Sequence, residues 1–355
     1  MARELIIGGR RIADDEPAVV IAEIGHNHGG SVQCAKRMIE VASWAGCDAV
    51  KLQKRSLQDC YTAAMLDAPY NSEHSYGSSY GEHRAILEFN WEQHAELKAY
   101  AESVNLIYLC TAFDEPSATL LAGLHLPVVK IASGDLVNLP LIEHCASLKL
   151  PLLVSTGGHE ITDVDRSFEL LHRLGARFAL LQATATYPCC HEELNLRVIE
   201  TYRERYPDTV IGLSDHQDGI SMAPVAWMLG ARIFEKHFTL SRAAKGSDNA
   251  FSLEPEPMRR MVNDLRGVSA ALGDGVKRAY ASEAPAMAKM AKSIVAARDL
   301  PAGHSLEPGD IAVKSPGGGM PPYKLYWILG QRLRSDILTD EPLTEEALCS
   351  SSTHR

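Results

Sequence analysis

Two lysines, two histidines, a glutamate and a set of hydroxyls are the residues of this 355-residue sequence whose placement points to chemistry. Glu23, Lys51, Gln53, Thr111, Lys130, Ser133, Ser155, Gln182, Ser214, Asp215, His216, Glu235, Lys236 and His237 each stand at or near the end of a short apolar run. One such residue is an ordinary solvated strand end. The whole set converges only if the runs are strands that open on one mouth. Lys51 and Lys130, with the hydroxyls of Thr111, Ser133, Ser155 and Ser214, suit a phosphate or carboxylate, because ammonium groups and hydroxyls bond strongly to an anion. An inward lysine is costly unless an anion meets it. His216 and His237 end successive runs and could hold a divalent metal, with a carboxylate or water completing the sphere. His26 and His28 form a second pair that competes for that role. Lys51 and Gln53 share one face of their run, as do Glu235 and His237 of theirs. A Schiff-base aldolase, which needs one buried lysine at a strand end, is the rival chemistry. Two lysines with a ring of hydroxyls fit anion clamping better.

The runs that must position these residues begin at 19, 49, 106, 128, 152, 178, 210 and 233. Amphipathic stretches separate them, among them 31–45, 91–104, 117–124 and 163–174. In the first, Ala35, Met38, Ile39 and Ala42 fall on one helical face. Strands alternating with helices imply parallel β/α units. Eight such units over roughly 250 residues predict a closed eight-stranded β/α barrel. An open doubly wound sheet ranks second, because His26–Gly30 does not match G-x-G-x-x-G. The connection between Gln53 and the helix at 91 is long, polar and rich in Tyr, Ser, His and Gly, and reads as a functional loop. After 254–257, a helix over 258–272 leads to a linker covering Gly273–Gly275 and the Ala-rich stretch 279–291. The rest has turn chemistry at 301–303, 308–309 and 315–322, with short strands at 293–297 and 311–314. This division gives a domain over 1–283 and a second over 292–348, the latter small enough to need support from a neighbour. The tail CSSSTHR reads as disordered.

Composition sets the bounds. Hydrophobic residues make up 46% and charged residues 23%, as in ordinary globular proteins. A net charge of −10 argues against nucleic acid or an anionic membrane as a partner. The eight cysteines are scattered without a C-x-x-C pair, which suits reduced thiols in the cytoplasm. The N-terminal stretch lacks the apolar core of a signal peptide, and no segment approaches the ~18 apolar residues of a membrane span.

At these residues the sequence resembles the sialic acid synthase family, which depends on phosphoenolpyruvate. The resemblance rests on IAEIGHNHGGS, AVKLQK, YNSEHSYGSSYGEHR, VVKIASGD, LLVSTGG, ATYP, LNLRVIETYRERYPD, IGLSDHQDGI, FEKHFTL, KGSDNAFSLEP and KSIVAARDLPAGHSL, which span almost the whole chain in order. The loop YNSEHSYG…YGEHR and LNLRVIETY are most similar to the animal-type branch. The resemblance implies an α/β fold, a (β/α)8 TIM barrel followed by an antifreeze-like SAF domain. It also implies a domain-swapped homodimer in which one subunit's small domain covers its partner's barrel mouth. The implied reaction condenses phosphoenolpyruvate with an N-acylhexosamine, N-acetylmannosamine or its 6-phosphate, and releases phosphate by C–O cleavage. Lys51, Gln53, Thr111, Lys130, Ser133, Ser155 and Ser214 would hold phosphoenolpyruvate. His216 and His237 would hold a divalent metal, manganese or magnesium. Glu23 and Asp135 would transfer protons, Asp135 standing where many bacterial members have Glu. Tyr187 would line the sugar pocket beside the reacting atoms, and Asp248 and Asn71 would contact the acceptor.

Four positions depart from the family pattern. Asn249 replaces a usual His, Ser241 a common Asp, and Ala183 a usual Cys. Ser315 stands where bacterial synthases carry an Arg that reaches the acceptor's N-acyl group, an Arg the animal-type branch also lacks. These changes touch acceptor recognition more than the enol site. They motivate two alternatives: a lapsed binding protein, and a synthase acting on a different aldose.

Overall fold

Each of the eight apolar runs forms a strand, and the strands close on one another. The computed structural model describes residues 3–349. Ahead of the barrel, β1 (Glu4–Ile7) and β2 (Arg10–Ala13) make an antiparallel hairpin. The barrel strands are β3 (Val19–Gly25), β4 (Ala49–Lys54), β5 (Ile107–Ala112), β6 (Val129–Ile131), β7 (Leu152–Ser155), β8 (Phe178–Ala183), β9 (Val210–Asp215) and β10 (Ile233–His237). They pair in parallel in chain order, and β10 returns to pair with β3.

Alternation along these strands builds the interior. Val19, Ile21, Ala49, Leu109, Val128, Leu153, Ala179, Leu181, Val210 and Ile233 meet inside as one apolar cluster. Leu5, Ile7 and Ile12 of the hairpin join it and close the end of the barrel where the strands begin. Gly212 is required by this packing. A Cβ there would lie 2.4 Å from Leu181 Cδ2 and 2.6 Å from the Ile233 carbonyl oxygen. The outward residues of the same strands pack on the surrounding helices in a second, larger cluster.

The helix over Val32–Trp44 starts where the hydroxyl of Ser31 accepts a hydrogen bond from the Cys34 amide at 3.2 Å. Its four predicted face residues are all buried. The long connection after β4 differs from its reading as a loop. It folds into helices over Leu57–Cys60, Ala63–Asp67 and Tyr80–Leu87. Ser79 and Glu82 form a capping box that starts the last of these. The hairpin at 4–13 was not anticipated either.

The chain divides into two compact units between Gly273 and Asp274. The first unit therefore ends ten residues before the boundary read at 283. Part of the expected linker is helical, over Ala284–Met290, where alanines favour the helix and Pro285 opens it. The second unit carries β11 (Ser293–Ala296) and β12 (Ile311–Lys314), paired antiparallel. It has its own buried core, which includes Ile294, Leu306, Ile328, Leu333 and Leu343. Of the tail CSSSTHR, all but Cys349 lies outside the described residues. All eight cysteines are free thiols. Among the described residues, no helix is long and apolar enough to cross a membrane.

Candidate active site

Where the barrel strands end, the inward residues change from apolar to ionisable. A cavity of about 310 Å³ opens there, lined by Glu23, Lys51, Gln53, Thr111, Lys130, Ser133, Ser155, Tyr187, Ser214, His216, Glu235, His237 and Asp248. Most of the side chains singled out from the sequence are thus gathered on one mouth. Of the residues given a role in the reaction, Asn71 and Asp135 are not among its lining: Asn71 is exposed in the long connection, and Asp135 accepts a hydrogen bond from Asn138 at 3.1 Å. Gln182, Asp215 and Lys236 belong to the outward set. Lys236 Nζ lies 2.7 Å from Asp215 Oδ2, a buried ion pair behind the two histidines. A larger groove, about 640 Å³, lies beside the hairpin and is lined by Leu5, Phe168, Arg177 and Tyr206 among others. None of the strand-end polar residues reaches it.

Register explains the contacts in the mouth. Glu23 stands opposite Lys51 and His237, and Ser214 opposite Glu235. Lys51 Nζ lies 2.9 Å from Glu23 Oε2 and 3.6 Å from Glu235 Oε1, and it donates to Thr111 Oγ1 at 2.7 Å. Gln53 Nε2 donates to Glu23 Oε1 at 2.7 Å. Gly25, in a left-handed conformation at φ 54°, keeps this wall open. A Cβ there would sit 3.3 Å from Glu23 Oε1, 3.4 Å from Gln53 Nε2 and 3.7 Å from Asp248 Oδ2.

The two lysines differ. Burial favours a neutral Lys51, but Glu23 and Glu235 outweigh it and hold the ammonium above the usual lysine range. Lys130 Nζ donates only to the Ile131 carbonyl at 2.9 Å, and no carboxylate lies within 4.0 Å of it among the described residues. Burial pulls Lys130 down to about 8, with Glu235 opposing. Burial pushes Glu23 up to about 7; Lys51 opposes this and Glu235 adds to it. Burial also acts on Glu235, but Lys130 and then Lys51 outweigh it and keep that carboxyl below its usual range. Burial thus brings Glu23 toward neutrality while the two ammonium groups keep Glu235 ionised, which suits Glu23 to proton transfer.

Several buried polar atoms of the mouth have no partner: Ser155 Oγ, Glu235 Oε2 and His237 Nδ1. Native interiors seldom leave such atoms bare, which marks the cavity as a place for a polar ligand. His216 Nδ1 lies 2.6 Å from the Thr184 carbonyl, which makes that nitrogen the donor and leaves Nε2 its lone pair. The His216 and His237 ring centroids are 5.7 Å apart. Burial lowers His216 to about 4 and lowers His237 as well, so both imidazoles are neutral. These two side chains fit a divalent ion. Among the described residues no group of three or more His, Cys, Asp or Glu is arranged to hold one, so substrate and water would complete the sphere. The competing pair does not fit. His28 Nδ1 accepts from the Gly30 amide at 3.0 Å and its ring stacks on Phe89, while both ring nitrogens of His26 face guanidinium groups at 3.1 Å.

On the sugar side, the Tyr187 ring is tilted against His216 at 4.1 Å and the side chain is 52% exposed. Partial desolvation, with the nearby carboxylates of Asp248, Glu235 and Glu23, pushes the phenol upward. Asp248 Oδ2 lies 3.9 Å from His237 Nδ1 and Oδ1 accepts from Ser247 at 2.7 Å. Asn249 is buried in the loop, bonded to Thr239 at 2.5 Å and to the Lys245 carbonyl at 3.1 Å, and Ser241 is exposed. Neither lines the cavity. Sequence reasoning left Glu235, Arg55 and Arg84 unassigned, although all three line it. Glu235 was legible two residues before His237, and Arg55 two after Gln53. Nothing in the local pattern located Arg84.

Residues 38–277 match the NeuB family and residues 291–348 match the SAF domain. The chain is 36% identical over 345 residues to the N-acetylneuraminate-9-phosphate synthase of Mus musculus, covering 97% of this chain and 96% of that protein. It is 33% identical over 324 residues to the N,N'-diacetyllegionaminic acid synthase of Legionella pneumophila, covering 90% and 91%. The crystal structure of N-acetylneuraminic acid (sialic acid) synthetase from Leptospira borgpetersenii, in complex with citrate, superposes with a TM-score of 0.68 at 30% identity. That match covers 81% of this chain and 96% of the other.

Proposed function

The chain belongs to the NeuB family, and on that premise we propose that it condenses phosphoenolpyruvate with an N-acylhexosamine, giving a nonulosonic acid and inorganic phosphate. The observation that carries this reading is the ammonium groups of Lys51 and Lys130 among four hydroxyls, one of them, Ser155 Oγ, without a partner, on the same mouth as Glu23 and the two histidines. Relatives named as synthases of sialic and legionaminic acids support it over nearly full length.

In this reading Lys51, Lys130, Thr111, Ser133, Ser155 and Ser214 hold the phosphate and carboxylate of phosphoenolpyruvate. C3 of the enol attacks the open-chain sugar aldehyde, water adds at C2, and the tetrahedral intermediate expels phosphate. Cationic and neutral donors fixed in a cavity stabilise the charge that gathers in that intermediate. Glu23, held by Gln53 and Lys51, gives a proton to the new alkoxide or takes one from the water. His216 and His237 would hold a divalent ion, manganese or magnesium, which would supply Lewis-acid polarisation. Tyr187 and Asp248 line the acceptor side. The Ser241 and Asn249 departures fall outside the cavity lining, which favours a working enzyme over a lapsed one. The enzyme acts in the cytoplasm as a homodimer. Exposed Tyr323, Tyr326 and Trp327 on the second unit support a buried partner face, which sedimentation analysis will test.

The test is phosphate release from phosphoenolpyruvate across a hexosamine panel, with manganese, magnesium or chelator, followed by mass spectrometry of the product. Turnover that needs both an acceptor and a divalent ion supports the reading. No release with any acceptor, or a borohydride-trapped pyruvate adduct on Lys51 or Lys130, overturns it.

A further inference from the structure

Beyond the two lysines, the same cavity has a second cationic pole. Arg55 lies just past β4, with its guanidinium over the Phe113 ring, 3.5 Å from the centroid. Its Nη2 donates to Gln53 Oε1 at 2.8 Å. Arg84 comes from the helix over Tyr80–Leu87, where its Nε donates to the Tyr80 hydroxyl at 2.8 Å. The two guanidinium groups meet across His26, Arg55 Nη1 being 3.1 Å from Nε2 and Arg84 Nη1 being 3.1 Å from Nδ1.

This arrangement is short of acceptors. A neutral imidazole has one lone pair and one N–H, so it can accept from one guanidinium and not from both. A protonated His26 would accept from neither, and burial together with Arg55 and Arg84 holds it neutral. One Arg N–H on His26 is therefore left without an acceptor, and Arg55 Nε is buried without one as well. Charge is also unbalanced. Glu88 serves both Lys54 at 3.0 Å and Arg55 at 3.6 Å. Among the described residues no carboxylate lies within 4.0 Å of Arg84, and Asp248, on the same wall, is not within 4.0 Å of either guanidinium. Three cations thus face Glu88 at close range, with Asp248 farther off. Planar guanidinium groups in such a setting suit a phosphate, which accepts several N–H bonds at once.

We infer that Arg55 and Arg84 form a second anion subsite, separate from the Lys51–Lys130 pole, which takes the terminal phosphate of a 6-phosphorylated acceptor sugar. The inference rests on the synthase reading, in which phosphoenolpyruvate occupies the lysine pole. The acceptor then fills the rest of the cavity and extends outward. Three carbons join the aldehyde end of a six-carbon sugar, so its C6 phosphate becomes the phosphate on C9 of the product. Relatives named as N-acetylneuraminate-9-phosphate synthases agree with that numbering.

The experiment compares kcat/KM for N-acetylmannosamine and its 6-phosphate in the wild type, Arg84→Gln, Arg84→Lys and Arg55→Gln, with thermal midpoints as a folding check. The wild type will prefer the phosphorylated acceptor by about 100-fold or more. Arg84→Gln will collapse that preference to below about tenfold, and Arg84→Lys will keep an intermediate preference. Equal losses on both acceptors, or a wild-type preference for the unphosphorylated sugar, overturn the inference. Calorimetry with the 6-phosphate gives a readout independent of turnover. If no acceptor reacts, the synthase reading fails, but a Kd raised tenfold or more by Arg84→Gln still supports the subsite and an unchanged Kd overturns it. Inorganic phosphate is the control ligand. If it binds in an Arg84-dependent way without any acceptor preference, the pair belongs to free phosphate and the inference falls.

Discussion

The two ends of the barrel are made from the same eight strands and differ in almost every physical respect. At the floor, Ile21, Ala49, Val128, Leu153 and Ile233 are sealed by the hairpin. One step along the same faces stand Glu23, Lys51, Lys130, Ser155 and Glu235. Two residues of translation along a strand convert packing into chemistry, because that step keeps the side chain inside while moving it from a sealed layer to an open one. The floor is stabilised by burial, with its neighbours already in place. The mouth stores uncompensated charge and bare polar atoms, which only a ligand satisfies. The contrast teaches that the floor carries stability and the mouth carries function.

Mutations test that division. Lys130→Met should have the largest effect, lowering kcat/KM for phosphoenolpyruvate on the order of 10³-fold; phosphate-release assays measure it, and a drop under tenfold would break the contrast. The same lysine sets a pH dependence. Its ammonium is present below about 8 and lost above it, so affinity for phosphoenolpyruvate should hold below that pH and decline beyond it. Lys130→Arg, whose guanidinium stays charged, should shift the decline to higher pH in titrations of kcat/KM. Glu23→Gln comes next, with turnover reduced about 10²-fold or more through loss of proton transfer and little change in the thermal midpoint. At the floor, Leu153→Ala should cost about 2–5 kcal/mol of stability, read by denaturant unfolding, while turnover per folded molecule is retained. A floor substitution that abolished turnover in folded protein would erase the distinction. Asp135→Asn and Asn71→Ala, outside the cavity lining, should change kcat/KM by about twofold, and a large loss from either would extend the site beyond the mouth.

The barrel was legible because strands buried on both faces leave continuous apolar runs, such as Val19–Ala22, that few other elements produce. Most of the mouth followed from counting the polar residue that ends each run. That count could not tell inward from outward. Asp215 and Lys236 entered it beside Ser214 and Glu235, yet they pair with each other behind the sheet. Alternation separates the two sets once a single inward residue is fixed. The hairpin was missed because four-residue strands bearing arginines carry too little apolar signal. The helix bearing Arg84 was hidden by its polar composition, although Ser79 and Glu82 stood at capping-box spacing. Arg84 reaches the cavity through tertiary packing of that helix, which no local period encodes.

Because the hairpin shuts the floor, the cavity is a blind alley with one door. Whatever sits on Lys51 and Lys130 must enter before the ligand nearer the door and leave after it. In the proposed reading, with the acceptor extending outward from phosphoenolpyruvate, phosphoenolpyruvate is the first substrate in and inorganic phosphate the last product out. Steady-state kinetics should accordingly show phosphate competing with phosphoenolpyruvate and not with the sugar.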